Sequence, residues 1–137
     1  MFDGVLFDLD GTLWNATVRI CESWNRALAR HPEIARPPVT VPEVEATMGL
    51  LLPDIARRIL PGEREETRAM VLKEQEGEEF ALLRTQGGVL YPAVEETLAA
   101  LSARAKLFVV SNCQDGYIQT FYAAHKLERY FTGFECA

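Results

Sequence analysis

Two aspartates, Asp8 and Asp10, stand one residue apart at the downstream end of the apolar run Val5-Leu6-Phe7, with Gly11-Thr12 after them. Residues i and i+2 of a strand project to the same side. In open parallel sheets the carboxyl edge of the strands is where ligands bind. Two like charges gathered there repel unless a cation or a shared proton relieves them. Mg2+ is the natural relief, because it prefers oxygen ligands and pairs one or two carboxylates with substrate phosphate. Taken alone, the pair also reads as a surface turn, since Asp-Gly is a common turn dipeptide. A second apolar run, Lys106-Leu107-Phe108-Val109-Val110, likewise ends in small polar residues, Ser111-Asn112. In isolation those two would serve as the N-cap of a following helix.

The elements that must position these residues follow from hydrophobic spacing. Both apolar runs are short and unbroken rather than alternating, the pattern of strands covered on both faces of a parallel sheet. Val94, Leu98 and Leu101 fall at i, i+4 and i+7 and predict a helix leading into the second strand. Ile118, Phe121 and Tyr122 predict another helix beyond it, and Phe131 to Cys136 begins a third strand. Strand, helix, strand, helix, strand is a parallel α/β order.

Residues 16–87 differ. Val18, Cys21, Trp24 and Leu28 have helical spacing, and Thr40-Val41-Pro42-Glu43 offers a capping box for a helix running to Gly49. Ile55 and Ile59 mark a short helix from Pro53 to Pro61-Gly62. A long polar segment then carries Met70, Phe80 and Leu83 before Gly87-Gly88 breaks it. Its Glu-rich stretch, Glu74 to Glu79, reads as a solvated helix face. The expected organisation is an α/β core of residues 1–15 and 88–137 interrupted by a helical insertion of residues 16–87.

Composition excludes several classes of function. With 48% hydrophobic and 25% charged residues, the 137-residue chain has the make-up of an ordinary globular domain. A net charge of −6 without a Lys/Arg cluster argues against nucleic acid or an anionic membrane as partner. Cys21, Cys113 and Cys136 include no CxxC pair, and neither a signal peptide nor a membrane-length apolar segment is present. A cytoplasmic location is expected.

The motifs carry a family resemblance. FDLDGTL, Phe7 to Leu13, resembles motif I of the haloacid dehalogenase-like (HAD) hydrolases, and VVSN, Val109 to Asn112, resembles motif II at the end of the next core strand. The insertion is similar to the C1 cap of phosphoglycolate phosphatase-like and β-phosphoglucomutase-like members, and Tyr91-Pro92 before the core helix resembles the same subgroup. The resemblance implies a HAD-like Rossmannoid core and a Mg2+-dependent phosphatase acting on a small phosphorylated metabolite. Asp8 would be the nucleophile forming an aspartyl-phosphate, and Asp10 the acid and base. The Asp8 carboxylate and the Asp10 backbone carbonyl would ligate Mg2+. Thr12, Ser111 and Asn112 would hold phosphoryl oxygens. An acid at position 10 fits phosphatases and phosphomutases rather than dehalogenases, since halide needs no proton to leave.

Two parts of the family's machinery find no match, the motif III lysine and the motif IV acids. Lys73, Lys106 and Lys126 are each misplaced for the lysine. In the family a fourth strand lies beside the first, so the strand from Val5 to Leu9 would here be an apolar edge through which copies could self-associate. The chain is therefore expected to be an amino-terminal piece of a longer hydrolase. A catalytically inactive HAD-like binding domain and a phosphomutase are the alternative functions.

Overall fold

The computed structural model describes residues 2–136. Three parallel strands form the central sheet: β1 (Gly4–Phe7), β4 (Lys106–Ser111) and β5 (Gly133–Cys136), with β4 in the middle. Leu6 pairs with Phe108, and Phe108 with Gly133. Between β1 and β4 run β2 (Trp14–Asn15), α1 (Thr17–Leu28), α2 (Val41–Glu45), α3 (Leu52–Ile59), α4 (Glu65–Gln86), β3 (Val89–Leu90) and α5 (Val94–Ser102). Helix α6 (Tyr117–His125) joins β4 to β5. The chain is thus an α/β fold with a parallel sheet, as expected, and helices occupy the interval between the first two sheet strands.

The sheet is not covered on both faces as the unbroken apolar runs suggested. Stepping from β1 to β4 to β5 moves twice in the same direction across the sheet. Right-handed crossovers then place α5 and α6 on the same side. Val5, Phe7, Leu107 and Val109 pack into a core on that side with Leu98, Ile118 and Phe121. The opposite face carries Leu6, 71% exposed, and Val110, 44% exposed. Among the described residues no strand pairs with the outer edge of β1.

The antiparallel pair β2–β3, which hydrophobic spacing did not reveal, ties the two ends of the insertion together. Its register places Trp14 opposite Leu90. Gly88 precedes β3 because a Cβ there would lie 2.9 Å from both the Trp14 ring and the Asn15 carbonyl oxygen. Trp14, fully buried, meets Tyr117, Phe121 and His125 edge-on at centroid separations of 6.0, 5.2 and 5.9 Å.

The helices of the insertion have a second core of Trp24, Ala27, Val44, Ile59 and Val71. The predicted capping box is present, with the Thr40 side chain accepting from the Glu43 N–H and Glu43 reaching back to the Thr40 N–H. Helix α2 ends at Glu45, earlier than Gly49, and the chain continues in turns. In α1, Val18 faces solvent, and the buried positions are Thr17, Ser23, Trp24 and Ala27. The larger correction concerns α4. Its buried stripe runs Val71, Gln75, Glu79, Leu82 and Leu83, so the Glu-rich stretch is not simply a solvated face. Glu74 and Glu78 meet Arg30, in the turn after α1, near the surface, while Glu79 is only 5% exposed. No helix among the described residues is long and apolar enough to cross a membrane.

Candidate active site

Strand β1 stops at Phe7, and a tight turn follows in which the Thr12 and Leu13 N–H groups donate to the Leu9 carbonyl at 3.2 and 2.9 Å. Gly11 adopts φ +79 at this turn, a conformation that costs glycine nothing. The turn halts the strand with Asp8 and Asp10 at the carboxyl edge of the sheet. There they share an opening of about 350 Å³ with Gly49 from the insertion and with Val110, Ser111 and Asn112 at the end of β4. Thr12 sits on the exposed turn and does not line that opening. Ser111 is buried and Asn112 exposed. Neither caps α6, whose N-cap is Gly116.

The two carboxylates have different surroundings. Asp8 is exposed and accepts the Leu9 N–H at 2.9 Å. Asp10 is half-buried, and its Oδ1 accepts both the Trp14 Nε1–H at 2.9 Å and the Tyr117 hydroxyl at 2.7 Å. These two donors fix the carboxyl plane and leave Oδ2 as the atom able to carry a proton. Burial pushes the Asp10 carboxyl up to about 6, against the lowering effect of the Tyr117 and Trp14 hydrogen bonds, and the Asp8 charge adds to the rise. A carboxyl in that range can both give and take a proton near neutrality. Desolvation, with the neighbouring carboxyls, raises the Tyr117 hydroxyl far above its ordinary value and keeps it a donor.

Trp14 and Tyr117 are positioning residues that the motif reading missed. Trp14 lies four residues beyond Asp10, but no general pattern assigns an indole to a carboxylate at that spacing. Tyr117 is 107 residues away and reaches Asp10 only because β1 and β4 are neighbours.

A second cavity, of about 60 Å³, shares Asp10, Gly49 and Asn112 with the opening and runs between the sheet edge and the insertion. Gln75 and Glu79 of α4 line it, together with Gln114 and Tyr117. Gln75 Nε2 donates to Ser23 Oγ at 2.9 Å and to Glu79 Oε2. Burial pushes the Glu79 carboxyl up to about 8 against the Gln75 hydrogen bond, with smaller upward contributions from Asp10 and Glu76.

The side chains at the larger opening offer oxygen donors from Asp8, Asp10, Ser111 and Asn112, with no imidazole or thiolate. Among the described residues no group of three or more His, Cys, Asp or Glu side chains is placed to hold a metal ion. This donor set fits Mg2+, which takes one or two protein carboxylates and completes its shell with water and phosphate, and does not fit a structural zinc site. None of Lys73, Lys106 and Lys126 lines the opening.

A family model described as haloacid dehalogenase-like hydrolase matches residues 5–137. No curated protein matches the chain. Among solved structures, a predicted phosphoglycolate phosphatase from Haemophilus somnus 129pt superposes with a TM-score of 0.82 at 27% identity, over 98% of this chain and 62% of that one. A haloacid dehalogenase-like family hydrolase from Streptococcus pneumoniae gives 0.80 at 17% identity, over 98% and 61%. A mutant of CbbY from Rhodobacter sphaeroides, in complex with xylulose-(1,5)bisphosphate, gives 0.77 at 18% identity, over 100% and 64%. The chain thus spans well under the full length of each of these proteins.

Proposed function

Because the chain belongs to the haloacid dehalogenase-like hydrolase family, we propose that the full-length protein hydrolyses a small phosphomonoester, with Asp8 as nucleophile and Asp10 as acid and base. The observation that carries this reading is the pairing of an exposed carboxylate with one that is clamped and raised to about 6, both facing Ser111 and Asn112 across one opening. In the first step an Asp8 oxygen attacks phosphorus, the bond from phosphorus to the alcohol oxygen breaks, and Asp10 delivers its proton to that oxygen. Water then attacks the aspartyl-phosphate as Asp10 takes back a proton, releasing inorganic phosphate and restoring Asp8. Ser111 and Asn112, with Thr12 from the adjoining turn, are assigned to the phosphoryl oxygens as hydrogen-bond donors.

Mg2+ would be held by the Asp8 carboxylate and the Asp10 backbone carbonyl. Once bound, it would offset the negative charge on phosphate and nucleophile. Residues 16–87 are assigned as a cap, a reading supported by Gly49 at the opening and by Gln75 and Glu79 beside Asp10. Such a cap excludes water from the transferring group. The protein is assigned to the cytoplasm, with a small phosphorylated metabolite as its partner.

Phosphate release from a panel of monoesters with Mg2+, wild type against Asp8→Asn, tests the assignment. Loss of release in the variant is expected, and an equal rate with Asn at position 8 overturns it. A second reading, an inactive domain that binds phosphate esters, is favoured by the lining of the opening, which among the described residues includes no lysine. Its mark is ester binding without phosphate release in the wild type.

A further inference from the structure

The 60 Å³ cavity lies beyond Asp10 as seen from Asp8: Asp8 lines the larger opening alone, whereas Asp10 lines both spaces. If Asp10 protonates the departing oxygen, the rest of the alcohol must extend past Asp10 into this cavity. At about 10–15 Å³ for each water-sized group, the cavity holds about four to six such groups, a short chain and not a nucleoside or a disaccharide.

Its lining has a definite chemistry. Trp24, Val44 and Leu52 are among its apolar walls, and beside Asp10, Thr47 and Asn112 its polar groups come from Gln75, Glu79, Gln114 and Tyr117. Gln75 and Glu79 are 1% and 5% exposed. The Gln114 side-chain nitrogen is buried without a hydrogen-bond partner. Among the described residues no Lys, Arg or His lines the space. A carboxylate entering it would meet no positive charge. An ionised Glu79 would repel it, and a protonated Glu79 would offer one hydrogen bond in place of full hydration. Hydroxyl groups, by contrast, can donate to amide oxygens and accept from the free Gln114 N–H.

Resting on the phosphatase reading above, we infer that the substrate's leaving group is a short uncharged polyhydroxy alcohol of about the size of glycerol, with Glu79, Gln75 and Gln114 as its specificity residues, and that carboxylate-bearing esters are excluded. The inference concerns which ester is accepted, and it separates this protein from the phosphoglycolate class named for one of its structural neighbours.

The test is equilibrium binding by calorimetry of glycerol 3-phosphate and of 2-phosphoglycolate to full-length protein carrying Asp8→Asn, with Mg2+. Glycerol 3-phosphate is expected to bind at least about tenfold more tightly, because a site built around hydrogen bonds rejects a ligand that cannot make them. Adding Glu79→Ala is expected to weaken glycerol 3-phosphate about tenfold and to leave 2-phosphoglycolate within about twofold. Glu79→Gln is expected to keep the wild-type order. Equal or tighter binding of 2-phosphoglycolate, or binding of neither ester, overturns the inference. So does a folded Glu79→Ala protein with unchanged affinities. Should Glu79→Ala not fold, the order of the two esters on the Asp8→Asn protein decides alone. Phosphate release by the wild type separates the two levels: release with 2-phosphoglycolate preferred refutes only the specificity, while no release from any monoester refutes the phosphatase.

Discussion

Asp10 and Glu79 both line the same small cavity, and burial raises both carboxyls. Asp10 accepts two strong donors, an indole N–H and a phenol, which partly restore its ionised form and hold it near 6. Glu79 has the Gln75 amide and nearly complete burial, and stays near 8. At neutral pH the first is poised to exchange protons and the second is held neutral. The difference teaches that burial with a single amide donor keeps a carboxyl protonated, while burial balanced by two charge-favouring donors leaves one that titrates near neutrality.

The comparison breaks most visibly at Asp10. Asp10→Asn in the full-length enzyme should cost about 10²–10⁴ in phosphate release, the usual weight of one acid-base group. A loss below about tenfold would mean that Asp10 does not move the proton.

Stability against pH probes the other carboxyl. A carboxyl with folded value about 8 and an ordinary value of 4.5 binds more protons in the folded state throughout that interval. Stability therefore falls as pH rises from about 4.5 to about 8, and the loss is complete above the folded value. Glu79→Gln removes this titration. The variant should match the wild type near pH 4.5 and exceed it at pH 9, by on the order of a few kcal/mol in urea unfolding. Parallel curves for the two proteins would show that Glu79 ionises freely in the fold.

Ser23→Ala strips Gln75 of one acceptor, since Ser23 Oγ receives its Nε2–H at 2.9 Å. It should destabilise the protein by about 1 kcal/mol in urea unfolding, and an unchanged midpoint would show that the bond adds nothing. The smallest effect is expected from Tyr117→Phe. Loss of a donor to Asp10 raises its value further, because that bond favours the ionised form. The fall of kcat/KM at high pH, where on the proposed mechanism Asp10 loses the proton it delivers, should then move up by about one pH unit. An unmoved profile would detach Tyr117 from the acid-base group.

The motif residues were legible because each lies within a few positions of the apolar run that carries it. Asp8 and Asp10 follow one strand and Ser111-Asn112 another, and adjacency of the strands brings the pairs to one opening. The capping box at Thr40 and Glu43 was equally local. What escaped depended on contacts across the chain. The Glu-rich segment looked solvated because four of its residues between Glu74 and Glu79 are glutamates. Only packing against α1 shows that the stripe through Gln75 and Glu79 points inward, where Ser23 awaits it. The open face of the sheet was hidden for a related reason: Leu6 and Val5 are equally apolar, and strand order alone sends the crossover helices to the side of Val5.

By itself the sequence determined the α/β order and which polar residues close the strand ends, because periodicity and turn residues act over a few neighbouring positions. The tertiary structure decided which carboxyl is tuned and which is silenced. A pKa depends on the donors, charges and solvent within a few ångströms, and for Asp10 these include Tyr117 from the far end of the chain. For Glu79 they are burial, the Gln75 amide one helical turn earlier and, more weakly, Asp10 from near the start of the chain and Glu76.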